Sequence, residues 1–252
     1  MLSVLHNTVM TPTERTYAEL RLAYDTFNAR LFDGKLPTCL ITLQREKRTC
    51  GYFSSRRFGT RQGETTDEIA LNPEFFAVTP LIETLQTILH EMIHLWQAHF
   101  GKPGRGRYHN AEWADKMEAV GLMPSSTGQP GGKRVGDCMA DYAIAGGKFT
   151  QVVEQLITEH GFGITWYDLH TSSASPCSAA TAAMTNLPAA ALEVPADHGV
   201  AVVPKLPRPG ATNRSNRFKY RCPGCGASAW GKPGLRLGCI ACAIELVADD
   251  DA

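Results

Sequence analysis

Charge of one sign is the first thing this sequence lacks: its 252 residues carry 25 Lys+Arg against 25 Asp+Glu. A balanced chain has no global field to draw it to a polyanion, so affinity for nucleic acid must reside in local patches. Long hydrophobic runs are missing too. No stretch of about 18 uncharged apolar residues occurs, which leaves no membrane-spanning helix to expect. The opening residues, MLSVLHNTVM, offer neither a basic segment nor a useful apolar run, so no secretory signal is expected. Cys39, Cys50, Cys138 and Cys177 stand singly rather than in a disulfide framework, as in a reduced cytoplasmic protein. A hydrophobic content of 43% is ordinary and supports one substantial domain plus a small one.

What is present centres on Thr79–His109, which contains His90-Glu91-Met92-Ile93-His94. On a helix, positions i and i+4 share a face about 6 Å apart. Two imidazoles so placed reach one zinc ion, and the glutamate beside them can act on a zinc-bound water. Thr79 fits an N-cap with Pro80 at the first helical position. Leu81, Leu85, Ile88, Leu89, Met92 and Trp96 recur at helical spacing on one arc, leaving His90 and His94 on roughly the opposite side.

Zinc catalysis needs a third protein ligand and an open fourth position. His99 is nearest in sequence, but five residues past His94 it points about 140° away. Gly101-Lys102-Pro103-Gly104 stops the helix, and the chain returns with Tyr108-His109 before a second helical segment, Ala111–Val120. His109 is therefore the expected third ligand. The HExxHxxGxxH spacing is absent, which argues against the metzincin class.

HEMIHLW, a loop and then YHNAEW closely resemble the SprT-like (Spartan) metalloprotease domain, whose pattern is HExxH, a loop and a third histidine in an H-G-x-x-F-like setting. The resemblance runs from about Thr11 to Phe149. It implies an α+β, zincin-like fold with a small β-sheet and an active-site helix. It also implies His90, His94 and His109 as ligands of a catalytic zinc, with Glu91 as catalytic acid/base. Asn110 stands where the family often has Gly, and Trp113 where it often has Phe. The substrates it implies are proteins crosslinked or tightly bound to DNA, which would place the chain in DNA–protein crosslink repair.

Taken in order, Thr11-Pro12-Thr13-Glu14 reads as a capping box opening a helix over about residues 12–33, with Tyr17, Leu20, Tyr24, Phe27 and Leu31 on its apolar face. Pro37–Leu43 and Thr49–Ser54 read as two strands joined by a charged turn, Arg45–Arg48, and Asp67–Leu71 as a third. In zincin folds an edge strand above the active-site helix pairs with extended substrate; these spacings do not say which strand that is. Six cations against Glu46 in residues 44–61 fit a solvated hairpin or a phosphate-contacting surface. Residues 124–137 read as a loop, Met139–Ile144 as a strand, Lys148–His160 as a helix and Phe162–Leu169 as a closing strand.

The metalloprotease-like domain is thus expected over 11–170, followed by an Ala/Ser/Pro-rich flexible linker over 171–216. A four-cysteine unit over 217–247 comes last. Cys222-x2-Cys225 and, thirteen residues on, Cys239-x2-Cys242 have the spacing of a zinc ribbon, a closed structural site. Arg217, Lys219, Tyr220, Arg221, Trp230, Lys232 and Arg236 supply cations and aromatics of the kind single-stranded or junction DNA contacts use. The expectation is a zinc-dependent endopeptidase holding one catalytic and one structural zinc. Its expected partners are protein substrates and DNA, with no membrane. The alternatives are a non-proteolytic DNA- or polymerase-associated factor using the zincin fold as a platform, and a general metallopeptidase whose ribbon binds protein partners.

Overall fold

The computed structural model describes residues 10–46, 49–171, 187–204 and 218–249. The chain divides into two compact units, one within residues 1–205 and one within 206–252. Helix α1 (Pro12–Leu31) starts where local chemistry dictates. Thr11 Oγ1 accepts from Glu14 N at 3.3 Å, and the Glu14 carboxylate accepts from Thr11 N at 2.8 Å. Leu20, Tyr24 and Phe27 are buried along α1, whereas Tyr17 is exposed and Leu31 half-buried. Phe27 meets Phe149 of α4 (Lys148–His160) with ring centroids 5.8 Å apart, which joins the first and fourth helices.

Helix α2 (Leu81–Phe100) is the centre of the larger unit. Its N-cap is Pro80 rather than Thr79, because the Thr79 hydroxyl donates instead to Phe75 O at 3.0 Å. The expected apolar arc holds for Leu85, Ile88, Leu89 and Met92, yet Ile82, Ile93 and Leu95 are fully buried as well. A helix covered nearly all round is a core element, not an amphipathic surface helix.

The sheet corrects one expectation. Strands β1 (Leu40–Leu43) and β2 (Gly51–Gly59) do not form a hairpin, since β3 (Thr65–Leu71) lies between them in the order β1-β3-β2. β3 runs parallel to β1 and antiparallel to β2, with Phe53 opposite Ile69. The strand that buries best takes the middle position: β3 carries Ile69, Ala70 and Leu71, all at or below 1% exposure, whereas β1 and β2 have no fully buried residue. β2 is left as an edge beside α2. Gly51 makes that approach possible: a Cβ there would lie 2.8 Å from both Ala70 O and Thr87 Cγ2.

Helix α3 (Ala111–Val120) leads into a hairpin of β4 (Leu122–Ser125) and β5 (Ala140–Ala143). Residues 162–169 form no strand. They are held by side chains: Glu19 accepts from Thr165 N at 3.0 Å, and Arg45 pairs with Asp168 at 2.6 Å. β6 (His170–Thr171) pairs in parallel with β7 (Val203–Pro204). Between them α5 (Ala189–Leu192) buries Ala191 completely in the main core. Residues 187–204, expected within the linker, are therefore part of the larger unit. A four-residue helix is too short to leave a periodic signal, which is why composition alone suggested a tether. The rest of the expected linker lies outside the described residues. Cys50 is disulfide-bonded, contrary to the expectation of isolated thiols.

The smaller unit is a three-stranded antiparallel sheet, β12-β8-β9, built from β8 (Phe218–Arg221), β9 (Ser228–Gly231) and β12 (Val247–Asp249). Between β9 and β12 sits the small pair β10 (Gly238–Cys239) and β11 (Ile244–Glu245). The two cysteine knuckles close similarly. Gly226 N donates to Cys222 O at 2.9 Å and Ala243 N to Cys239 O at 2.8 Å, with φ of +74° and +54°. An L-residue in this left-handed conformation is strained by about 1 kcal/mol, and Ala243 bears that strain where its counterpart is glycine. Ala243→Gly should raise the stability of the zinc-loaded ribbon by roughly 0.5–1 kcal/mol, read by thermal unfolding of the full chain.

Candidate metal centres

Three histidines from two elements meet in the larger unit. His90 and His94 project from α2 one turn apart, and His109 comes from the loop that precedes α3. Their ring centroids are 5.1 Å (His90–His94), 4.8 Å (His94–His109) and 5.5 Å (His90–His109) apart. One ligand atom from each falls within 4.8 Å of the others. His94 Nε2 and His109 Nε2 face each other at 3.1 Å. Two nitrogens about 2.0–2.1 Å from one tetrahedral ion are separated by slightly more than that, so the pair has the spacing of co-ligands.

Hydrogen bonds to the far side of two rings decide which nitrogen is offered. His109 Nδ1 lies 3.1 Å from Gly136 O, an acceptor, so that nitrogen carries the proton and Nε2 keeps a lone pair. Backbone pairing fixes the same residue: His109 N donates to Gly136 O at 2.8 Å, and Gly136 N to His109 O at 3.1 Å. His90 Nδ1 lies 3.0 Å from Asp141 Oδ2, which leaves its Nε2 for a metal. Asp141 is 8% exposed, and its other oxygen accepts from Gln86 Nε2 at 3.2 Å. A carboxylate behind a ligating imidazole orients the ring and raises its basicity. Asp141 and Gln86 were not evident from sequence: 55 residues separate them, and nothing local marks either.

Trp113, fully buried on α3, forms the floor. Its ring stacks on His94 with centroids 5.6 Å apart and meets His109 edge-on at 4.4 Å. Asn110 caps α3 by accepting from Trp113 N at 3.0 Å, with extended backbone (φ −87°), so a glycine is not required at this position. The Asn110 amide also donates to Lys102 O at 2.9 Å, tying the loop down. His99 is turned away and instead contacts Asp67 Oδ2 at 2.6 Å, in keeping with its rejection as a ligand.

The electrostatics suit a cation. Burial first, then the neighbouring charges of His90 and His109, pushes the His94 imidazole well below its usual value. Burial and His90 bring His109 down to about 4. Burial opposes protonation of His90 too, but Asp141 and Glu91 outweigh it and raise that ring. Glu91, 6% exposed, is raised to about 7, chiefly by burial. Its carboxylate accepts the backbone N–H of Phe53 on β2. Cys50 O accepts from Asn72 N on the β3 side at 2.8 Å, so strand alternation turns the N–H of Phe53 outward to meet Glu91. Donor set, tautomers and convergence all fit zinc.

The second cluster is Cys222, Cys225, Cys239 and Cys242, again with ligand atoms within 4.8 Å. Cys225 Sγ and Cys239 Sγ are 3.6 Å apart. Backbone N–H groups of Cys225 and Gly224 hold the Cys222 thiol down to about 7, which favours the thiolate a metal needs. Four sulfurs fill a tetrahedral shell and leave no position for substrate.

Of the expected DNA-contacting residues, Lys219, Arg221, Trp230 and Lys232 belong to the ribbon, with Trp230 57% exposed and directly opposite Lys219. Tyr220 is a correction. It is 4% exposed, and its hydroxyl donates to Lys232 O at 2.7 Å and accepts from Leu235 N at 3.2 Å, so its ring cannot stack on a base. Alternation along β8 puts Tyr220 on the covered face. Arg236 pairs with Glu245 at 2.8 Å, and Arg217 lies outside the described residues.

Comparison with known proteins agrees with this geometry. The SprT-like family profile matches residues 20–130, which span α1 to the loop after β4 and include all three histidines. An "Uncharacterized protein in mucB 3'region" of Salmonella typhimurium is 63% identical over 59 residues, covering 23% of this chain and 80% of that protein. No solved structure matches. The larger unit is thus a mixed α/β domain of the zinc-metallopeptidase type, followed by a cysteine cluster that fits a zinc ribbon. The chain belongs to the SprT-like family.

Two measurements test the site. Asp141→Asn should weaken metal binding at the histidine cluster roughly 10–100-fold while leaving the cysteine site loaded, read by chelator competition. Stability of the zinc-stripped protein should also depend on Glu91. Its folded value, about 7, lies above the ordinary 4.5, so its contribution is full below that ordinary value and is lost as pH rises through 7. Stripped Glu91→Gln should therefore gain on stripped wild type between pH 5 and 8, by on the order of 2–3 kcal/mol in urea unfolding.

Proposed function

We propose that this chain is a zinc-dependent endopeptidase of the SprT type that acts on proteins bound or crosslinked to DNA. The observation that carries the reading is the convergence of His90, His94 and His109 beside the buried carboxylate of Glu91. Zinc, when bound, supplies Lewis acidity toward a scissile carbonyl and lowers the pKa of a water in its open position towards about 7. In this reading Glu91 receives a proton at its carboxylate and delivers it to the leaving amine, and a value about 7 suits a group that must do both. The Phe53 N–H holds that carboxylate against β2.

β2 is an edge of its sheet and borders α2. An extended substrate backbone is expected to add to it, and strand addition reads main chain more than side chains, so sequence preference should be loose. Lys102, Arg105 and Arg107 are exposed in the loop before His109, and Arg56, Arg57 and Arg61 at the far end of β2. The ribbon separately offers Lys219, Lys232 and Trp230 for phosphate contacts and one stacking face.

The experiment compares wild type with Glu91→Gln on a DNA-crosslinked protein, with and without added DNA. Wild type should yield fragments that a chelator abolishes. Glu91→Gln should keep two metal equivalents and cut about 10²–10⁴-fold more slowly. Equal cutting by both proteins would remove the peptidase mechanism. Equal turnover of a free peptide with and without DNA would remove the link to DNA. Intact metal and DNA binding without any cleavage by wild type would favour a non-proteolytic platform.

A further inference from the structure

Resting on the reading of His109 as a metal ligand, we infer that Arg134 is a positioning residue for the metal centre, acting on His109 through the loop that carries Gly136. The guanidinium of Arg134 bridges two carboxylates of α3: its Nε bonds Glu118 Oε1 and its terminal nitrogen bonds Asp115 Oδ1. Asp115 and Glu118 are three residues apart and share a helix face, so the planar fork engages both at once. Two residues later, the Gly136 carbonyl accepts both His109 N and His109 Nδ1, at 2.8 and 3.1 Å.

His109 therefore sits between two elements that Arg134 joins. On one side it runs directly into α3, whose cap is Asn110. On the other it is pinned by Gly136. The ring orientation holds only if the loop and the helix keep a fixed separation, and these two ion pairs set it. The loop itself is stiff. Ser126 N donates to Lys133 O at 2.8 Å, the Ser126 hydroxyl accepts from Lys133 N at 2.9 Å, and the Ser125 hydroxyl donates to Gln129 O at 2.5 Å. A rigid loop fastened at Arg134 transmits that position to Gly136; a floppy one would absorb it. α3 also carries Trp113 under the three rings, so the same fastening keeps floor and third ligand in register.

Arg134 is partly exposed and its ion pairs are with Asp115 and Glu118, so its effect should be on geometry rather than on chemistry. Exposed ion pairs contribute little to global stability, which separates the two roles experimentally. The test is cobalt binding to the full-length protein, in which thiolate-to-metal charge transfer reports the cysteine site and the weaker visible bands report the histidine site. Arg134→Ala should lower cobalt affinity of the histidine site about 10-fold and alter its visible bands, with charge transfer unchanged and the metal-free unfolding midpoint within error of wild type. Arg134→Lys, which keeps the charge but loses the fork, should recover only part of the affinity. The double-mutant cycle decides the route: with His109→Ala already present, Arg134→Ala should have no further effect on affinity.

An equal loss in the presence and absence of His109 would overturn the proposal, as would unchanged affinity and bands in Arg134→Ala. If wild type shows charge transfer but no visible bands from a nitrogen-ligated ion, the metal-site reading itself fails. That outcome differs from a wild type that binds two equivalents and is indifferent to Arg134.

Discussion

Everything in the larger unit depends on burying α2 while leaving two of its imidazoles able to bind an ion. A helix whose Leu85, Ile88, Leu89, Met92, Ile93 and Leu95 are all fully covered has no freedom to rotate or slide without exposing apolar surface. Each fully buried side chain of this kind is worth about 1.5–3 kcal/mol relative to exposure. The packing that stabilises the fold is thus also what fixes His90 and His94 relative to β2 and to Trp113. Rigidity at the site follows from the core rather than from the site's own contacts.

The third imidazole is held by different means. His109 lies outside any helix, and its orientation comes from backbone pairing with Gly136, the Asn110 cap and the indole beneath. Hydrogen bonds of this kind are directional but individually weak, about 0.5–1.5 kcal/mol net, so several must agree. That difference makes the His109 side of the centre the one open to tuning by its neighbours. The carboxylate of Asp141 does for His90 what the Gly136 carbonyl does for His109: each fixes a tautomer by occupying Nδ1. Glu91 belongs to neither arrangement. It faces β2, where the Phe53 N–H opposes the effect of its burial.

Membership in the SprT-like family and the cysteine cluster set the class of chemistry; the smaller unit adds a surface of its own. Its sheet is thin and covers one face only, with Tyr220 spent on holding the Lys232–Leu235 turn. The opposite face keeps Trp230 and Lys219 side by side. Small units with four clustered cysteines generally rely on a metal rather than on an apolar core for stability, and here Trp230 stays exposed.

Sequence alone determined the parts whose physics is local. The capping box of Thr11 and Glu14, the i, i+4 spacing of His90 and His94, and the two cysteine knuckles each involve atoms a few residues apart, so spacing encodes geometry directly. His109 was legible because a helix stop and a second helix start bracket it. Tertiary structure alone decided the rest. Whether β2 pairs with β1 or β3 is settled by which strand buries better, and local composition does not record that. The strand expected over 162–169 is replaced by side-chain contacts to Glu19 and Arg45 across more than 120 residues. Ala191 enters the core from a stretch too short to show a period. Asp141, Gly136 and Arg134 reach the site only through contacts between distant segments, and a linear pattern carries no trace of such partners until the chain has folded.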